Sequence, residues 1–479
     1  MSFFSFAPSS DDRNTMAPMT LQNMILEKVP DGAPKPVKYA LKPWPGLVSR
    51  GTIVRTSPAI PQNCRGLYSQ SGVAGSFLYG VFGTGLYKIN PDYSATLVSS
   101  AGGPVTQFAA LRNKLLALGN DLLRTYDGTT TGGVSNSTDA DFPANPWSMT
   151  TLDQRVIVTA KGADQFYWSD VLDAVNYGAT SFATSERRPD EIIACGAKGG
   201  DLWLFGASGT EVLRGGGSAT LPFQSIRSID INKGCAARDS LRLIQSDFFW
   251  LAEDRCLYRS NGYSPARIDN LAMEEQLRTL TAQQLSECIA FSYEQESQLF
   301  YVLRPPVGSA WALDIGMGTW TELTTWGADA YRVTFTAHAY GKTFCAALDD
   351  ESYYTFENDI YTDDGVVIER IATFGVPSDG RVTVDSLAFD MQTNDAPLSG
   401  QGSSPSMMVE YWKDSGRYTS GAAGVIRNVN LPRRGQYTKK PMLWRLGQVN
   451  AQDGLIAKCT ITDPVDPTFY GVRVNEGMP

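Results

Sequence analysis

Leu202-Trp203-Leu204-Phe205, set between Asp201 and Gly206, is a short apolar run followed by a polar turn and a second β-rich stretch, Val212-Leu213. The same unit recurs along the chain. Phe77–Phe82 (FLYGVF), Leu115–Leu118 (LLAL) and Val156–Thr159 (VIVT) precede it. Phe248–Leu251 (FFWL), Leu299–Leu303 (LFYVL) and Phe344–Leu348 (FCAAL) follow. Taking the central residues Tyr79, Leu116, Ile157, Leu204, Trp250, Tyr301 and Cys345, the spacings are 37, 41, 47, 46, 51 and 44 residues. Behind each run, after Gly, Asp, Asn or Ser, comes a partner strand: Leu86–Ile89, Leu122–Tyr126, Phe166–Trp168, Val212-Leu213, Cys256–Tyr258, Trp311–Leu313 and Tyr353–Phe356.

A β-rich period of about 40–50 residues is the mark of a propeller, one four-stranded blade per repeat. A single blade cannot bury both faces; blades packed around an axis bury each other, and closure protects the sheet edges. Turn residues at regular intervals, with no helical periodicity between strands, exclude a βαβ alternation. The fold class is therefore all-β, a β-propeller of about seven blades, or six if the first or last repeat is not a blade.

The flanks differ. Residues 1–40 mix Ser, Pro, Met and charge without periodicity and read as an extended N-terminal arm. The propeller spans 41–376, entered through Lys42-Pro43-Trp44-Pro45-Gly46-Leu47. Asn270–Cys288 breaks the pattern with apolar residues at helical spacing and Thr281 placed as a cap, a short helical insertion at 270–288. Past Pro377 the period is lost. Arg381–Met391 alternates as a half-buried strand should, and Met407–Trp412, Val425–Val429, Leu443–Leu446 and Ile456–Ile461 continue as strands. Residues 377–465 form a C-terminal antiparallel β-sandwich-like domain, and 466–479 a terminal extension.

Length and composition bound the function. The chain has 479 residues, 42% of them hydrophobic and 11% aromatic, ample for a packed core. Charged residues make up 19%, below the roughly 25% usual for soluble domains, which fits a strand-rich chain partly covered by neighbours. The net charge of −9 leaves no basic footprint for gripping nucleic acid. An acidic surface suits a conduit that DNA passes without sticking, but ordinary solubility is the commoner reason for such a charge, and charge alone decides nothing. Seven scattered cysteines with no C-x-x-C pair read as free buried thiols made in a reducing cytoplasm. The N-terminus has no basic or sustained apolar stretch of a secretory signal, and no apolar run approaches the ~18–20 residues that cross a bilayer.

Chemistry-bearing motifs are sparse. The chain holds one histidine, His338, and neither a G-x-S-x-G elbow nor a Walker A loop. No catalytic, cofactor-binding or metal-binding residue is assigned, and no cofactor is expected. Asp314–Trp320 comes near the Asp-box turn of sialidases, with Ala312 at the Ser position and the Trp one residue late; that turn is a folding element in any case. Asp170, Asp173, Glu186, Glu211, Asp314 and Asp363 are acidic candidates for a propeller glycosidase, but they form no recognisable pair in sequence. Asp359–Gly365 is the nearest approach to a calcium loop and reads as a solvated turn. Arg433, Arg434, Lys439 and Lys440 form a basic loop, either solvated or a docking surface for an acidic partner subunit. The alternative to a structural role is a propeller glycan hydrolase or carbohydrate-binding protein.

Several stretches in order resemble the packaged-DNA stabilisation proteins of short-tailed phages. They are Pro45-Gly46-Leu47 with Cys64-Arg65-Gly66-Leu67-Tyr68, Gln165–Ala174 (QFYWSDVLDA), Phe182–Glu186 with Pro189-Asp190, and Asp201–Gly206 with Gly209-Thr210-Glu211-Val212. Lys233-Gly234-Cys235, Phe249-Trp250-Leu251 with Leu257-Tyr258-Arg259, Trp311–Asp314 with Gly318-Thr319-Trp320, Arg445-Leu446-Gly447 and Thr462–Val465 follow. The similarity covers most of residues 40–465. It implies a tail hub or nozzle subunit of the virion tail, assembled in the host cytoplasm. Such subunits form a ring, most simply a hexamer, below the portal and adaptor proteins. The ring lines or closes the DNA channel and docks needle, spike or fibre proteins.

Overall fold

In a computed structural model, the apolar runs are the second strands of antiparallel series, not the first, and five of the seven lie in separate four-stranded sheets. The structure describes residues 2–8, 15–16, 18–29, 37–53, 63–100, 105–119, 122–129, 134–186, 190–216, 221–348, 350–376, 382–393, 396–413, 423–436, 441–451 and 455–475. Strands take 56% of the chain and helices 4%, which leaves no room for a βαβ architecture. The chain divides into two compact units. One is built from Ser49–Gly308 and Arg332–Thr355, the other from Met1–Val48, Ser309–Tyr331 and Phe356–Pro479.

The first unit is the propeller. Its sheets follow the chain: Cys64–Tyr68 to Ala95–Ser100, Val105–Leu111 to Val134–Asn136, Pro146–Leu152 to Tyr177–Thr184, Ile192–Lys198 to Gln224–Ser225, and Arg242–Ile244 to Ser264–Arg267. Ile289–Gln295 with Gln298–Arg304, and Phe335–Ala339 with Lys342–Ala346, continue the series. The apolar runs have no polar face because both faces are covered. Leu78 and Phe82 join the cluster shared with Phe344 and Tyr353, while Tyr79 and Val81 turn to Leu115 and Ala117. Leu116 and Leu118 face Val156 and Val158; Ile157 faces Leu202 and Leu204; Trp203 and Phe205 face Phe248 and Trp250. The period of two inside each run thus sends alternate side chains to alternate neighbouring sheets. Each such side chain contributes roughly 1.5–3 kcal/mol by leaving water.

The strand preceding each run lies innermost. Four successive inner strands carry a β-bulge near their start, at Cys64/Gly66, Val105/Gln107, Pro146/Met149 and Ile192/Ala194. A bulge adds twist and leaves one residue unpaired, which suits strands crowded at an axis. The circle closes where Phe335–Ala339 lies against Cys64–Tyr68. The first residues of the propeller also pair with its seventh repeat. Ile53 N donates to Glu351 O at 2.9 Å, Arg50 Nε to Thr355 Oγ1 at 2.8 Å, and Cys64 N to Asp350 O at 3.0 Å. The insertion forms two helices, Leu271–Thr279 capped by Asn270 and Ala282–Ser286 with a Thr281–Gln284 capping box. Arg255 Nη1 donates to the carbonyls of Leu277 and Leu280 at 2.9 and 2.7 Å, satisfying groups the first helix leaves open at its end.

The second unit is a β-sandwich. One sheet runs Thr15–Met16, Ser2–Phe6, Pro467–Val474, Val382–Thr393, Met442–Ala451, with the hairpin Met24–Lys28/Tyr39–Pro43 joined through Phe469 and Leu41. The other includes Pro18–Gln22, Arg370–Val376, Leu455–Ile461, Ser406–Lys413 and Val425–Asn430. Phe6, Leu41, Phe389 and Phe469 from one sheet meet Leu21, Phe374, Val409 and Cys459 from the other in one core. Phe6 and Phe374 make an edge-to-face pair at 5.6 Å. Residues 1–40 and 466–479, expected as an arm and an extension, therefore supply strands to this sandwich. Ser2–Phe6 pairs with Pro467–Val474, and Pro18–Gln22 with Arg370–Val376. The reason is long-range: Ser5 pairs with Gly471 and Gln22 with Ile371, separations that local periodicity does not register.

Candidate functional site

The inner strands line a cavity of about 770 Å³ that is open to solvent, where the sheets meet around the propeller axis. Its wall mixes polar with apolar side chains, Leu67, Met149, Leu241 and Phe291 among the latter, where the mid-sheet runs are apolar. Arg65, Tyr68 and Gln70 come from the first inner strand and the turn after it, and Gln107 and Phe108 from the second. Thr150 and Thr151, then Arg238, Asp239 and Arg242, then Ser292 and Thr336 continue the circuit.

Neighbouring inner strands belong to different sheets and share no backbone ladder, so their buried polar groups need other partners. Side chains supply them. Met149 N donates to Gln107 Oε1 at 2.7 Å and Cys195 N to Ser148 Oγ at 3.1 Å. Tyr301 Oη donates to Ser240 O at 3.0 Å, and Thr336 Oγ1 to Ser292 O at 2.8 Å. Between the first two strands the link is apolar: Tyr68 and Phe108 stack at 5.7 Å beside Gly66, where a Cβ would fall 2.8 Å from the Phe108 ring. Burial lifts the Tyr301 hydroxyl above its ordinary range, so it stays a proton donor.

Arg238 is held from three sides. Its Nε and Nη2 donate to Asp239 Oδ1 and Oδ2 at 3.0 and 2.7 Å, and its Nη1 donates to Trp147 O at 3.0 Å. The guanidinium also lies 4.2 Å from the centre of the Trp147 ring. Arg242 is half-buried and donates to Leu241 O at 2.8 Å. Burial holds its guanidinium below the ordinary range, against the opposing pull of Asp239 and Tyr301. Among the described residues, Asp239 is the one carboxylate lining the cavity, and Arg238 occupies it in bidentate fashion. The two flanking carboxylates of a glycosidase are not what this arrangement provides.

The residues singled out in the sequence lie elsewhere. Arg433 and Arg434 are exposed; Lys439 and Lys440 lie outside the described residues. His338 is exposed, its Nδ1 3.4 Å from Thr343 Oγ1. Asp314 Oδ1 accepts from Gly316 N and Met317 N at 2.8 and 3.0 Å, closing a turn as a folding element does. Glu211 is buried and accepts from Ser185 Oγ at 2.7 Å. Asp173 caps Val175 N at 2.9 Å. Asp364 and Gly365 adopt positive φ of 51° and 85° in a tight hairpin between Thr362-Asp363 and Val366-Val367. All seven cysteines are free and buried, and burial pushes the thiols of Cys64, Cys195, Cys235 and Cys288 up to about 12. Among the described residues no three His, Cys, Asp or Glu side chains converge as metal ligands. Arg65 falls within the Cys64–Tyr68 stretch that carries the family resemblance, but nothing there marks it as axial; it sits on a bulge, and Arg238 in a 3₁₀ turn, Arg238–Ser240.

No curated protein matches the chain. Among solved structures it is similar to the computationally designed Ika8 protein, with 10% identity and a TM-score of 0.41 over 64% of this chain and 100% of that one. It is also similar to a chain of the mitotic checkpoint complex, with 13% identity and a TM-score of 0.42 over 65% and 93%. The family model described as Bacteriophage P22 Gp10, beta-propeller, matches residues 42–361, two thirds of the chain. The chain belongs to that family and is a phage structural protein of the packaged-DNA stabilisation, tail-hub type.

Proposed function

We propose that this chain is a ring-forming hub or nozzle subunit of a short-tailed phage tail, built on a propeller of about seven blades. The ring, of six copies, sits below the portal and adaptor, lines or closes the DNA channel, and docks needle, spike or fibre proteins. The family match over 42–361 is the observation that carries this reading. Two physical points support it. The net charge of −9 disfavours adhesion to a phosphate backbone. The axial cavity is far too small to be the DNA path: a cube of 770 Å³ is about 9 Å on edge, narrower than the ~12 Å major groove of B-DNA alone. A channel for DNA therefore has to form between copies, which is what a ring provides. The exposed Arg433 and Arg434 serve in this reading as a docking surface for an acidic partner subunit.

Light scattering and electron microscopy of the purified 52.2 kDa chain, together with fractionation of disrupted virions, test the proposal. A six-copy ring that co-purifies with tails supports it. A chain that stays monomeric and is absent from particles refutes it.

A further inference from the structure

The axial cavity has the opposite charge character to the chain around it. The chain carries −9, yet the cavity is lined by three guanidinium groups, Arg65, Arg238 and Arg242, against the single carboxylate of Asp239. Asp239 is already consumed by Arg238. Among the described residues neither Arg65 nor Arg242 has a carboxylate within ion-pairing distance. Arg242 shares the attraction of Asp239 with Arg238, and burial still holds its guanidinium below the ordinary range, so a further anion would favour its charged form. Arg238 is locked by Asp239 and by the Trp147 carbonyl and ring, so it is presented without further ordering. The volume of about 770 Å³ falls within the ~300–1,000 Å³ of small-molecule sites. Tyr68 stacked on Phe108 adds a flat apolar wall on the side of Arg65.

We propose that the propeller axis is a binding site for a phosphate dianion, held by Arg65, Arg238 and Arg242. Three cations and one carboxylate leave the lining two positive charges in excess, the complement of one dianionic phosphate. Guanidinium groups match phosphate oxygens in geometry as well as charge. The phosphate is either the free ion or the end of a small phosphate monoester, for which the Tyr68–Phe108 wall gives a ring or chain a place to lie. This site is independent of ring assembly and of DNA passage, since it is internal to one propeller.

The test is calorimetric titration and thermal melting of the full chain with inorganic phosphate, AMP and sodium acetate, at ionic strength matched with sodium chloride. Phosphate is expected to bind and raise the melting temperature, with acetate at least tenfold weaker. R65Q and R242Q are expected to weaken phosphate at least tenfold, and R242K less. Arg65 is exposed, so R65Q keeps the test decisive if R242Q fails to fold. Tight AMP binding identifies a monoester site, and phosphate binding without AMP a free-ion site. Phosphate no tighter than acetate, or a phosphate response unchanged in R65Q, overturns the proposal.

Discussion

Replacing Trp203 and Trp250 by phenylalanine, one at a time, separates packing from hydrogen bonding within a single core cluster. Both indoles are fully buried between the fourth and fifth sheets and belong to the same group of side chains. Both contact Phe205, at ring-centre distances of 6.0 and 5.3 Å. The lost volume is the same in each variant, so the cavity cost is common to both to first order. The polar ends differ. Trp250 Nε1 donates to Gly234 O at 2.9 Å, whereas Trp203 Nε1 is buried without a partner. W250F deletes a hydrogen bond and strands a buried carbonyl, at a cost of about 1–3 kcal/mol. W203F instead removes an unsatisfied N–H and recovers part of its packing loss. W250F is therefore expected to be less stable than W203F by roughly 2 kcal/mol. For a unit this large that separates the melting temperatures by roughly 4–8 °C at most, read by calorimetry on the propeller transition. Equal melting temperatures, or a W203F variant that melts lower than W250F, would refute the reasoning.

Other positions give further tests. G66A is expected to cost about 1–3 kcal/mol because its Cβ would press on the Phe108 ring, and markedly less in an F108A background; an additive cycle would exclude the contact as the cause. Burial by itself raises the Asp350 carboxyl, but the Tyr354 hydroxyl, Arg332 at 2.9 Å and Ser352 N at 3.0 Å outweigh it and hold its pKa below the usual range. A depressed folded pKa contributes stability above the unfolded value of about 3.9 and loses it as pH falls through the folded value. The acid limb of melting temperature against pH is therefore expected to be shallower in D350N than in the parent, and a parallel limb counts against the ion pair. Native protein at pH 8 is expected to resist a thiol reagent that titrates all seven cysteines after unfolding, since the thiols are buried; rapid native labelling contradicts this. The R433E/R434E double variant is expected to fold within about 0.5 kcal/mol of the parent yet fail to enter tails, measured by complementation; normal incorporation removes that loop from the docking surface.

The mid-sheet hairpins were legible because they carry two signals at once. A run such as Leu202–Phe205 must be apolar at every position when both faces are covered, and it must end in turn residues when the chain reverses. The inner strands were not legible for the opposite reason. Cys64–Tyr68 and Pro146–Leu152 mix apolar, polar and charged residues and are interrupted by bulges, so neither a period of two nor an apolar run marks them. The axial arginines share that fate, since nothing in their neighbours distinguishes a guanidinium that lines a cavity from one on a solvated turn.

The repeating pattern alone determined that this chain is built of β-sheets stacked face to face around an axis. Local polarity and turn chemistry depend on nearest neighbours along the chain, and those are written in the sequence. Only the tertiary structure decided that Phe6, Met16 and Leu21 belong to a sandwich core with Phe374, Phe389 and Phe469, and that Arg65, Arg238 and Arg242 line one cavity. Those outcomes join residues as distant as Arg65 and Arg238 or Phe6 and Phe469, and only the burial of facing surfaces, not any local preference, selects such partners.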